Sequence, residues 1–128
     1  MLYNYFMDFN KHIFIGTDIE KINRFENKTV EKDINFLKKI FTEDEIKYCF
    51  SNKFPSPHLT ARFCAKEAVI KALYSAGIKG IYYSDIEVFH DENMCPMVSI
   101  KNHKKIKVKL SLSHSIDYAT ATAILYID

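Results

Sequence analysis

Apolar and polar positions follow two different periods along this chain. From Ala61 to Leu73 the run reads Ala61-Arg62-Phe63-Cys64-Ala65-Lys66-Glu67-Ala68-Val69-Ile70-Lys71-Ala72-Leu73. Phe63, Val69, Ile70 and Leu73 give it an apolar side, four alanines favour helix, and no Gly or Pro interrupts it. The pattern predicts a helix, with Thr60 placed to cap it. Val30 to Ile40 is amphipathic, with Ile34, Leu37 and Ile40 inside and lysines outside. Thr42 to Phe50 predicts another helix. Thr42 and Glu45 form a capping box, and Phe41 and Ile46 a hydrophobic staple. The helix dipole accounts for Glu43, Asp44 and Glu45 in the first turn, so they are not read as a metal site. Ile19, Ile22 and Phe25 recur at helical spacing and predict a short helix from Glu20 to Phe25. Ser51 to His58, with Pro55 and Pro57, reads as a loop.

Elsewhere the period is two. Ile13 to Ile19 reads as a short buried strand of β-branched residues. Gly16 within it signals a bulge or a close backbone approach. Tyr83 to Phe89 sets Ile86 and Val88 opposite Asp85 and Glu87. Pro96 to Ile100 alternates through Val98. Ile106 to Leu112 points Ile106, Val108, Leu110 and Leu112 one way and Lys107, Lys109 and Ser111 the other. Asp117 to Asp128 carries Ala119, Ala121 and Ala123 on one face, small enough for close packing of a helix or of another subunit. Hairpin connections dominate, so the sheet is expected to be mainly antiparallel. Residues 1 to 12 hold Tyr3, Tyr5, Phe6 and Phe9. An extra edge strand, a docked arm, or an upstream start with Met7 as the initiator all fit them.

Composition narrows the class. With 128 residues, 48% hydrophobic and 27% charged, the chain fits one folded domain. A net charge of +2 is too small to argue nucleic-acid binding. Cys49, Cys64 and Cys95 form no C-x-x-C pair, so free thiols in a reducing cytosol are expected. No apolar run approaches the roughly 20 residues of a membrane span, and the start lacks a signal-peptide pattern.

Five places carry candidate chemistry. On the central helix, Glu67 and Lys71 lie four apart on one face, as do Arg62 and Lys66. One carboxylate among three cations can hold a metal beside phosphates, or it can be a solvated edge with an ordinary ion pair. Asp18 ends a buried strand, as a metal ligand or as a helix cap. Lys21, Arg24 and Lys28 recur along one side, suiting an acidic partner or plain solvent. His114, within Ser111-Leu112-Ser113-His114-Ser115, is a structural or a catalytic histidine. Gly77 fits a C-terminal helix cap. Gly77, Lys79 and Gly80 can also lie against a phosphate.

Three segments stand in register: Ile15-Gly16-Thr17-Asp18-Ile19 with Arg24, Ala61-Arg62-Phe63-Cys64-Ala65-Lys66-Glu67-Ala68 with Lys71, and Leu112-Ser113-His114-Ser115 with Tyr118-Ala119. Together they closely resemble the holo-[acyl-carrier-protein] synthases, the small 4'-phosphopantetheinyl transferases of bacterial fatty acid synthesis. The resemblance runs from about Ile13 to Ile127. It implies an α+β fold and a homotrimer with active sites between subunits. It implies magnesium-dependent transfer of phosphopantetheine from coenzyme A to a serine of apo acyl carrier protein, with release of adenosine 3',5'-bisphosphate. By the same resemblance Asp18 and Glu67 hold the metal, Lys71 and His114 lie near phosphates, and Arg24 contacts the carrier, with Lys21 and Lys28 beside it. Arg62 and Lys66 either touch coenzyme A or brace Glu67. Glu67 is the first choice for the serine proton and His114 the second. The sequence departs from the family where Cys95, instead of Gly, precedes Pro96, and where Cys64 replaces a common alanine. A magnesium-dependent diphosphate hydrolase and a nucleic-acid-binding module are the readings from other classes.

Overall fold

The computed structural model describes residues 12–127. Of residues 1–12, for which three fates were open, 1–11 lie outside them. Strand β1 (Ile13–Lys21) leads through a 3-10 turn (Ile22–Phe25) into helices α1 (Val30–Ile40), α2 (Glu43–Phe50) and α3 (Pro55–Ser75). A second 3-10 turn (Tyr83–Asp85) then opens the hairpin β2 (Ile86–His90) and β3 (Pro96–Ile100). The chain ends in β4 (Ile106–His114) and β5 (Tyr118–Ile127). All strand pairs are antiparallel. One sheet has the order β1-β5-β4, and the hairpin is the other.

The α+β expectation holds, and α3 is the central element. Residues 55–58, read as loop, are instead its first turn. Pro55 sits at N1, where its missing N–H costs nothing. Thr60 is therefore no cap. It is buried inside the helix and its hydroxyl donates to the Ile22 carbonyl at 2.9 Å. Gly77 does close the helix with φ 79°, and Ile78 N–H reaches back to Leu73 O at 2.9 Å.

β1, expected to be buried, is covered on one face only. Phe14, Gly16, Asp18 and Glu20 face α3, while Ile15 and Ile19 are 64% and 60% exposed. Contact with the helix backbone decides this. A Cβ on Gly16 would lie 1.9 Å from Ala68 O and 2.7 Å from Ala72 N, so only glycine lets the strand approach so closely. Ala119, Ala121 and Ala123 of β5 are buried under the same helix, which settles the choice between helix and subunit. The outer sheet face exposes Ile15, Ile19, Tyr118 and Ile124.

The capping box on α2 is present, with Glu45 N–H to Thr42 Oγ1 at 3.2 Å and Thr42 N–H to Glu45 Oε1 at 2.8 Å. Phe41 and Ile46 join Phe25, Leu37, Cys49, Leu59 and Phe63 in a second small core between α1, α2 and α3. The predicted helix over Glu20 to Phe25 is a correction. β1 stays paired to Lys21 opposite Tyr118, Ile22 N–H bonds Asp117 O at 2.9 Å, and only one 3-10 turn follows. Ladder bonds here outweigh a helix too short to nucleate well.

Candidate active site

Asp18 and Lys71 meet where α3 crosses the edge strand β1. Lys71 Nζ donates to Thr17 O at 2.9 Å and to Asp18 Oδ1 at 3.3 Å. The other Asp18 oxygen, Oδ2, is buried without a hydrogen-bond partner. Lys71 thus reaches the strand instead of pairing with Glu67 one turn earlier. Glu67 accepts from the Tyr83 hydroxyl at 2.7 Å. Burial and that bond push the Tyr83 phenol up to about 12. Glu20, two residues after Asp18 on the same strand face, feels the charges of both Asp18 and Glu67. Burial first, then the Asp18 carboxylate, raise its pKa. Asp18, Glu20 and Glu67 therefore border one acidic site, flanked by Lys71 and by Arg24.

Arg24 donates to Glu20 Oε2 at 3.0 Å and lies 4.6 Å from the Phe63 ring centroid. The predicted row of Lys21, Arg24 and Lys28 is not a helix face. Lys21 belongs to the outer side of β1, and Lys28 lies 4.0 Å from Asp33 and over the Phe36 ring. The reason is that β1 runs on to Lys21 and a single 3-10 turn replaces the predicted helix.

Arg62 and His114 stand on the other flank of α3. Arg62 precedes Glu67 by five residues, about 140° around a helix. His114 lies opposite Ala119, which lies opposite Glu20, so β5 separates it from the acids. Both line a cleft of about 350 Å³ with Tyr48, His58, His90 and Thr120. The Arg62 guanidinium stacks 4.4 Å from the Tyr48 centroid and donates to His58 O at 3.4 Å, while its Nε is buried without a partner. Burial, reinforced by Arg62, pulls the His58 and His90 imidazoles below their ordinary value. Such a cleft suits an anion with an apolar body.

Lys66 is a further correction. It is fully buried and donates to Glu45 Oε1 at 2.6 Å, Ile40 O at 2.7 Å and Tyr83 O at 3.0 Å. All three ammonium hydrogens are occupied, so it neither reaches a ligand nor pairs with Glu67. Burial pulls its pKa down against the opposing Glu45 charge. Cys64 Sγ donates to Asp18 O at 3.3 Å and Ala119 O at 3.6 Å, fixing α3 to both strands.

The family model of the 4'-phosphopantetheinyl transferase superfamily matches residues 14–123. The chain belongs to that superfamily. It is 42% identical over 120 residues to the holo-[acyl-carrier-protein] synthase of Caldanaerobacter subterraneus subsp. tengcongensis, covering 88% of this chain and 93% of the relative. It is 44% identical over 114 residues to that of Thermodesulfovibrio yellowstonii, covering 87% and 96%. Among solved structures, the Bacillus anthracis holo-(acyl-carrier-protein) synthase in complex with CoA (3',5'-ADP) superposes with a TM-score of 0.74. It shares 32% identity over 91% of this chain and 99% of that one. The fold of this transferase family is thus the fold of this chain.

Sequence reasoning missed Glu20 and Tyr83. Counting by twos from Asp18 would have put Glu20 on the same face. Tyr83 gave no sequence signal, since its contact with Glu67 depends on how the 3-10 turn meets α3.

Proposed function

We propose that the protein transfers the 4'-phosphopantetheine group from coenzyme A to a serine hydroxyl of an apo acyl carrier protein. The serine oxygen bonds to the phosphorus that carries pantetheine, the diphosphate bridge breaks on that phosphorus, and adenosine 3',5'-bisphosphate leaves. The observation that carries this reading is the buried, unpartnered Asp18 Oδ2 beside Lys71, on an acidic site shared with Glu67. A buried carboxylate oxygen with no donor suits an oxygen-seeking cation.

Asp18 and Glu67 are the residues that would hold Mg2+. Mg2+ usually keeps several waters and takes only one or two carboxylates from the protein. When bound, the metal supplies charge neutralisation to the diphosphate. Lys71 binds a phosphate oxygen as a compact cation. Glu67 takes the serine proton, and His114 donates to a phosphate oxygen. Arg62, in its cleft with His114, holds the phosphorylated adenosine end. Arg24, half exposed beside Glu20, meets the acidic carrier, with Lys21 and Lys28 as outlying charges that steer it.

Acids and imidazole lie on opposite flanks of α3, and the outer sheet face exposes apolar Ile15, Ile19 and Ile124. Both features support a homotrimer whose neighbouring subunits complete each site. Among the described residues no helix is long and apolar enough to cross a membrane. Free Cys49, Cys64 and Cys95 support a reducing, cytoplasmic setting. One domain spanning residues 1–128, of which 1–12 are an N-terminal extension, carries the reaction.

The test is to incubate the protein with apo carrier, coenzyme A and Mg2+ and to weigh the carrier. A gain of one phosphopantetheine, lost when Mg2+ is chelated, is expected. An unchanged carrier mass, with the protein folded, rejects the reading.

A further inference from the structure

The two acids at the site are treated differently by their surroundings. Asp18 is bonded to an ammonium, whereas Glu67 is bonded to a neutral phenol at 2.7 Å. We infer that Tyr83 is the positioning residue of Glu67: its hydroxyl holds one carboxylate oxygen and leaves the other turned to the cation.

The donor is fixed before Glu67 meets it. Tyr83 opens a single 3-10 turn. Asp85 N–H closes this turn onto Tyr82 O at 3.0 Å, and Asp85 Oδ2 accepts from Tyr82 N–H at 2.9 Å. The Tyr83 carbonyl accepts from the buried Lys66 ammonium at 3.0 Å. Its ring packs on Phe63 with centroids 5.5 Å apart. Backbone, ring and hydroxyl are thus held by three different partners, and only the hydroxyl faces the site. A glutamate has three side-chain torsions and Glu67 is only half buried, so without this bond its carboxylate would sample several rotamers. A neutral donor orients the group and leaves its full negative charge for the cation, which a lysine in the same place would not. Groups that orient metal ligands in this way typically govern affinity or activity by about 10–100-fold. Lys66 then has a role at a distance. It holds Tyr83, the residue that holds its own chain neighbour, Glu67.

This inference rests on Glu67 being a metal ligand, so the experiment separates the two. Tyr83→Phe removes one oxygen and keeps the ring on Phe63. Mn2+ alone, without coenzyme A or carrier, is titrated into the purified protein and followed by the loss of its free-ion resonance. Expected are an unshifted melting temperature, Mn2+ affinity lowered about 10-fold or more, a lower kcat, and an unchanged KM for the carrier. In a Glu67→Gln background the same change is expected to add no further loss of affinity, because the two residues act as one unit. If the unsubstituted protein binds Mn2+ and Tyr83→Phe binds it equally well with unchanged kcat, the positioning role is wrong and the metal site stands. If the unsubstituted protein binds no Mn2+, the metal assignment falls and this inference falls with it.

Discussion

Lys66 Nζ lies 2.6 Å from Glu45 Oε1, and both side chains are shut off from solvent. Glu45 also accepts from Thr42 N–H and, through Oε2, from Val88 N–H. One carboxylate thus joins the start of α2 to strand β2, and Lys66 neutralises it. Removing one partner strands a buried charge. Lys66→Ala is expected to lose about 3–5 kcal/mol, read as a lower urea midpoint at unchanged slope.

Gly16→Ala meets backbone, not a movable side chain. The new Cβ would stand 1.9 Å from Ala68 O, so strand and helix must separate. The cost is expected to exceed the roughly 1–3 kcal/mol of ordinary overpacking. Because Asp18 is two residues further along, activity should fall more than stability explains. Thermal melts and turnover of the surviving folded fraction test this.

Asp18→Asn separates function from folding. The lost carboxylate neighbours Glu20 and has one oxygen without a donor, while its bond to the exposed Lys71 contributes little. The melting temperature is expected to hold or rise. Turnover should fall at least about 100-fold, since a metal's charge stabilisation is worth several kcal/mol and each 1.4 is tenfold. A cooperative melt many degrees lower would show that Asp18 is a structural residue.

His58 and His90 give stability an acid limb. Both imidazoles titrate below the ordinary value of 6.5 in the folded chain. Below about 6.5 the unfolded chain therefore binds more protons, and stability falls as pH is lowered toward the folded values. Above 6.5 both states are neutral and the pair contributes nothing. Replacing both by Gln should flatten the limb below about pH 6.5 in urea titrations, leaving stability at pH 8 nearly unchanged.

The elements that local chemistry controls were legible in the chain. The Thr42–Glu45 box, the Gly77 cap and the strict alternation of β4 appear where expected. Asp18, Glu67 and Lys71 stood out by strand and helix spacing, yet Asp18 does not end its strand as expected: β1 stays paired to Lys21. What failed depended on long-range contacts. Ile15 and Ile19 look like core residues, yet α3 packs on the face that carries Gly16 and Asp18. Lys66 looks like a ligand-binding cation, yet Glu45, 21 residues away, draws it inward. Pro55 looks like a loop residue because a proline reads alike in a turn and at the first position of a helix.

Asp18 and His114 lie on opposite sides of the β5 strand, so in the homotrimer proposed above each polypeptide would offer two unlike half-centres to its neighbours. Two individually inert variants, Asp18→Asn and His114→Ala, would then complement each other when unfolded together and reassembled. In a random mixture of closed rings, about a quarter of the junctions would pair an intact acid side with an intact imidazole side. Under that same assembly, dilution below the concentration of subunit association would silence the protein.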